Sequence, residues 1–166
     1  MLGRVSSSRR RSLALPLFAL ALAAAGCSSS DGGPAVAVPH PSGDDPAHCR
    51  ALAKRLPDTV AGAHRRTTDP VSPYTAAWGD PAVQLRCGVA KPEALQPGSE
   101  HYNPDADSAD VNGVEWLFEK QDDGYLFTTV LRKTYVAVRV PGHYSPEVDA
   151  LVDLASAVRS TVPAGV

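Results

Sequence analysis

Between Val114 and Val140 the chain is written with a period of two. Val114, Trp116 and Phe118 alternate with Glu115 and Glu119, as a half-buried strand requires, because successive side chains point to opposite faces. Asp122-Asp123-Gly124 follows as a tight hairpin signal. Tyr125–Leu131 is rich in β-formers, Arg132-Lys133 turns the chain, and Tyr135–Val140 returns it with Val136, Val138 and Val140 on one face. Pro141-Gly142 closes the run. Such a meander has one apolar face, which must be covered by something else.

Two helices are available to cover it. Asp45-Pro46 reads as a helix start, a capping carboxylate followed by Pro at the first helical position. That helix is expected to run to about Leu56, with Ala47, Leu52, Ala53 and Leu56 as its small apolar face. Ser145-Pro146-Glu147 caps a second one, whose stripe is Val148, Leu151, Val152, Ala155, Val158 and Val162. Ala82–Val89 is a further strand. Residues 57–81, rich in Pro, Thr and Asp, read mainly as loop with a short strand near Arg65–Thr68. The predicted fold is α+β: an antiparallel β-meander sheet packed by an N-terminal and a C-terminal helix, a two-layer sandwich over residues 46–166.

Ahead of that domain lies a leader. Residues 1–12 are basic and polar, and Leu13–Ala25 is apolar except for Pro16. Thirteen residues are too few to span a bilayer, which takes about 20, but they suit a secretory signal with small residues before its cut site. Ala24-Ala25-Gly26-Cys27 resembles the bacterial lipobox, with Ala24 in place of the usual Leu. The reading is a lipoprotein signal over residues 1–26 and a lipidated Cys27 that holds the protein to the extracytoplasmic face of the cell membrane. The alternative is plain secretion with Cys27 unmodified. Ser8-Arg9-Arg10-Arg11-Ser12-Leu13 also resembles a twin-arginine export signal, with Ser12 where that pattern prefers Phe. Residues 27–45, dominated by Ser, Asp, Gly and Pro, are expected to form a flexible tether, with a reach of about 22–25 Å.

Loss of the signal removes Arg4, Arg9, Arg10 and Arg11, leaving 12 Lys+Arg against 18 Asp+Glu, a net charge of −6. An acidic domain with no basic stripe lacks the footprint of a nucleic-acid binder. Nor does it carry a polybasic segment for anionic lipid. With Cys27 taken by lipid, Cys49 and Cys87 remain. An even count in an oxidising compartment argues for a disulfide, closing a loop of about 38 residues worth roughly 3–4 kcal/mol. Free thiols, one of them reactive at Cys87, are the alternative.

Several blocks in order, Trp78-Gly79-Asp80-Pro81, Leu85-Arg86-Cys87-Gly88-Val89, Val111-Asn112-Gly113-Val114 with Trp116, Thr128-Thr129-Val130 and Tyr135-Val136-Ala137-Val138, resemble an actinobacterial lipoprotein family, the domain of unknown function 3515. The likeness covers about Cys49 to Val162. It implies an envelope lipoprotein with two cysteines outside the lipobox, and it implies no activity. The acidic run Asp105, Asp107, Asp110 stands where a first hairpin through Asn112-Gly113 would want a better strand.

No motif nominates a catalytic centre. There is no Gly-x-Ser-x-Gly elbow, no Ser-x-x-Lys and no phosphate-cradling Gly loop. The run from Asp105 to Gly113 invites a calcium reading, but Ala109 and Trp116 stand at two ligand positions. His40, His48, His64, His101 and His143 are dispersed, without metal-ligand spacing. Glu115 and Glu119 share a strand face, suited to acid–base work only if that face lines a cleft. No cofactor or metal is expected. Tyr74, Trp78 and Trp116 are the binding candidates, because Tyr74–Trp78 falls in a Pro-rich loop and aromatic faces stack on ligands. Core packing of both Trp side chains competes with that reading. The expectation is a non-enzymatic binding or interaction module facing the cell wall, its partner an unknown envelope protein or wall ligand. An envelope hydrolase or transferase and a structural accessory of a membrane complex are the alternatives.

Overall fold

The computed structural model describes residues 32–165, so the signal and Cys27 lie outside the described residues. An eight-stranded antiparallel sheet carries the fold, in the order β1-β2-β3-β4-β8-β7-β6-β5. The first meander is β1 (Thr59–Val60), β2 (Ala63–Arg66), β3 (Thr75–Trp78) and β4 (Val83–Val89). The second is β5 (Ser108–Val111), β6 (Val114–Lys120), β7 (Tyr125–Thr129) and β8 (Tyr135–Val140). They join edge to edge where β4 pairs with β8. Helix α1 (Asp45–Ala53) precedes the first meander and α2 (Asp149–Thr161) follows the second. The α+β sheet packed by helices is therefore as the hydrophobic pattern required.

Register explains the core. Ala76, Leu85, Val138, Phe127 and Phe118 face one another across successive strands. With Trp78, Trp116, Val136 and Val140 they pack against Leu52, Leu151, Leu154 and Val158 of the helices. Burial of Cys49 and Cys87 in the same cluster places the Cys49–Cys87 disulfide between α1 and β4, with the two Cα atoms 5.5 Å apart. At the far end the buried Arg132 guanidinium donates to the carbonyls of Val162 and Gly113 at 2.9 and 2.6 Å. Burial and the neighbouring Arg159 lower its pKa, and Asp110 opposes them.

Several expectations need correction. Residues 57–81 are mainly loop but hold three short strands where one was expected; β3 is buried at every position. Its residues are Thr-Ala-Ala-Trp, so no alternation shows in the sequence because both faces are covered. The hairpin at Asn112-Gly113 forms despite the acidic run: both residues adopt left-handed φ, and the Gly113 N–H donates to the Asp110 carboxylate at 2.9 Å. Strand β5 is almost wholly exposed, so its acidic side chains meet water rather than core. Helix α1 stops at Ala53, short of Leu56, ahead of Pro57. Helix α2 starts at Asp149, and Val148 and Val152 are exposed while Ala150, Leu154 and Ala157 are buried. Leu151, Ala155, Val158 and Val162 of the expected stripe are buried, and the covered face extends to Ala150, Leu154 and Ala157 instead of Val148 and Val152.

The tether also differs. Ala35 pairs with Asp69, Val36 N–H donates to Asp69 O at 3.0 Å, and Asp69 N–H donates to Pro34 O at 3.1 Å. Val36 is buried with Ala77 and Ala82, on the sheet face away from the helices. Short apolar residues between prolines thus dock where composition predicted free chain.

Candidate functional site

Docking of this N-terminal segment builds a site. After Val36 the chain passes over the end of β4. Gly88 sits at a β-bulge between Cys87 and Val89 with φ of +80°. Pro41 packs so close to it that a Cβ there would meet the Pro41 Cβ at 2.5 Å. Segment 37–42, the end of β4 and the start of β8 then enclose an open cleft of about 630 Å³. Arg86, Lys91, Lys133 and His40 line it, with Tyr135 and Asp45.

The charge of this cleft departs from the acidity of the domain. Arg86, Lys91 and Lys133 make no ion pair among the described residues; the ion pairs found are Arg66–Asp80 and His101–Glu93. The carboxylate at the cleft is already engaged. Thr134, fully buried, donates its hydroxyl to Asp45 Oδ1 and lies 2.8 Å from His48 Nδ1. A hydroxyl has one proton, so His48 Nδ1–H must be the donor in the second bond. Burial also raises the Tyr135 pKa, which keeps the phenol protonated and able to donate. The lining therefore offers positive charge and donors to whatever enters, and its chemistry is that of an anion acceptor.

The same geometry is a poor reaction centre. Thr134 is out of reach of solvent and its proton points at Asp45, so the Asp45–Thr134–His48 chain lacks the free nucleophile that acyl transfer needs. No group of three or more His, Cys, Asp or Glu among the described residues is placed to hold a metal ion.

The aromatic candidates do not come together at a surface. Trp78 and Trp116 are fully buried in the core. Trp78 Nε1 donates to Pro57 O at 3.0 Å, and the Arg65 guanidinium stacks 5.6 Å from its ring centre. Trp116 Nε1 is buried with no hydrogen-bond partner. Tyr74 is half-buried against the core, and its hydroxyl accepts from Arg50 at 3.2 Å. Glu115 and Glu119 do share a face, where Glu115 accepts from Ser108 and burial raises the Glu119 pKa. Of the residues missed from sequence, Arg86 and Lys91 lie close together at the end of β4, whereas Lys133 is far along the chain and is brought to them by the β4–β8 pairing. The one local signal was Gly88 inside a strand pattern, which marks a bulge or a close approach.

An antiparallel sheet with helices on one face and a cationic cleft beside its disulfide defines an α+β domain with an open polar site. The chain belongs to the family described as Protein of unknown function (DUF3515), whose model matches residues 12–166. No curated protein and no solved structure matches it.

Proposed function

We propose that this protein is a lipoprotein of the actinobacterial cell envelope, anchored through Cys27 on the extracytoplasmic face of the cell membrane, and that its domain binds rather than catalyses. The cleft at Arg86, Lys91 and Lys133 carries the binding half of this reading: it is open, polar and cationic, and the Asp45 carboxylate in its lining is held by the buried Thr134 hydroxyl. The anchoring half is supported by the basic leader, the short apolar run and the lipobox-like Ala24–Cys27. The Cys49–Cys87 disulfide suits an oxidising compartment.

The test is fractionation together with crosslinking in intact cells. Cys27→Ala should move the protein from the membrane to the medium; retention at the membrane would contradict the anchor. Crosslinked material read by mass spectrometry should be lost when Lys91 and Lys133 are both changed to Gln, and an unchanged profile would remove the cleft from the reading.

A further inference from the structure

The cleft has a position as well as a charge. Gly33 lies against the backbone of Thr67, where an added Cβ would collide with Thr67 O, and Pro34–Val36 are hydrogen-bonded to Asp69. The chain is therefore docked at Gly33, and the wall of the cleft begins at Ala37. Six residues from Cys27 to Gly33 reach at most about 20 Å. A lipid on Cys27 would hold this end of the domain next to the bilayer, much closer than a free tether through Asp45 would.

A tether that short lets the cleft come within the screening length of about 8 Å at physiological ionic strength, where surface charge acts. The mature chain carries net charge −6 and is repelled by an anionic membrane. Arg86, Lys91 and Lys133 are the exception, gathered with His40 and Tyr135 in the cleft whose wall begins four residues after Gly33. Arginine and lysine around a concave opening match a phosphate oxygen cluster, and the nearest abundant phosphates are lipid headgroups.

We propose that the cleft docks on the phosphate of anionic phospholipid headgroups in the membrane that holds the anchor, so that the domain stands in one orientation with its acidic surfaces turned away. This rests on anchoring at Cys27. The protein's four lysines provide the probe: Lys91 and Lys133 line the cleft, whereas Lys54 and Lys120 do not. Lipidated protein purified in detergent would be reconstituted into vesicles of phosphatidylcholine alone, or of phosphatidylcholine with one-third phosphatidylglycerol. Amine-reactive labelling would then be read residue by residue by mass spectrometry.

With phosphatidylglycerol present, labelling of Lys91 and Lys133 should slow by about fivefold. Lys54 and Lys120 should be unaffected, and high salt should restore the rates. Equal labelling of all four lysines in both vesicles, with the protein still bound, overturns the docking and leaves the anchor standing. Protein that leaves both kinds of vesicle overturns the anchor and the docking with it. Protection by inorganic phosphate in phosphatidylcholine vesicles overturns the lipid assignment in favour of a free-anion site.

Discussion

Two tryptophans of equal burial differ in one bond. Trp78 Nε1 donates to Pro57 O, whereas Trp116 Nε1 has no partner. Trp78→Phe removes similar volume but also strands a carbonyl, so it should cost about 1 kcal/mol more than Trp116→Phe in urea unfolding. Equal costs would mean that Trp116 does find a partner. Glu119 supplies a pH-dependent contrast. Burial raises its folded pKa above the unfolded value, so the folded state binds the proton more tightly. Its contribution is favourable below the ordinary carboxylate pKa of about 4.3 and is lost as pH rises through the folded pKa. Glu119→Gln should therefore stabilise the domain at pH 7 relative to the parent, with the gain vanishing below about pH 4. A gain that persists in acid would point to packing instead. Both effects depend on surroundings that no single residue name reveals, which is why Trp78 and Trp116 looked equally suited to a binding surface.

For the elements, α2 shows how little the assignment of a face tolerates error. Its start and end are close to the expected ones, but Leu154 is fully buried and Val152 is 49% exposed. Leu154→Ala should cost about 2–5 kcal/mol by leaving a cavity, and Val152→Ala about 0.5 kcal/mol or less. Thermal or denaturant unfolding of the pair checks the assignment, and a reversed order would rotate the helix. Strands β6 and β8 match their expected spans because one face is apolar and packed in the core while the other carries half-exposed polar residues such as Glu115, Glu119 and Arg139, and alternation records that directly. Strand β3 was hidden by the opposite condition, with every residue covered.

In the whole molecule, the disulfide and the docked N-terminal segment do related work. Cys49–Cys87 ties α1 to the strand whose bulge carries Gly88, and Pro41 rests on that glycine. Replacing both cysteines with Ala should lower the unfolding free energy by about 3–4 kcal/mol through the loop it frees. The comparison is denaturant unfolding of the oxidised parent and the double variant. A difference near zero would show that the loop is already ordered in the unfolded chain.

The amino-acid sequence alone determined the class of fold, strands β6 to β8 of the second meander, the presence of both helices and the pairing of Cys49 with Cys87. Each is a local or countable property: a period of two, a helical stripe, a pair of cysteines within the domain. Tertiary structure alone decided that Val36 closes the outer face of the sheet and that Trp78 and Trp116 are core. It alone also brought Arg86, Lys91 and Lys133 to one opening. The last of these depends on β4 lying beside β8, a contact between residues about 50 apart. No window of sequence contains both partners of such a contact, so the cleft exists only once the two meanders meet.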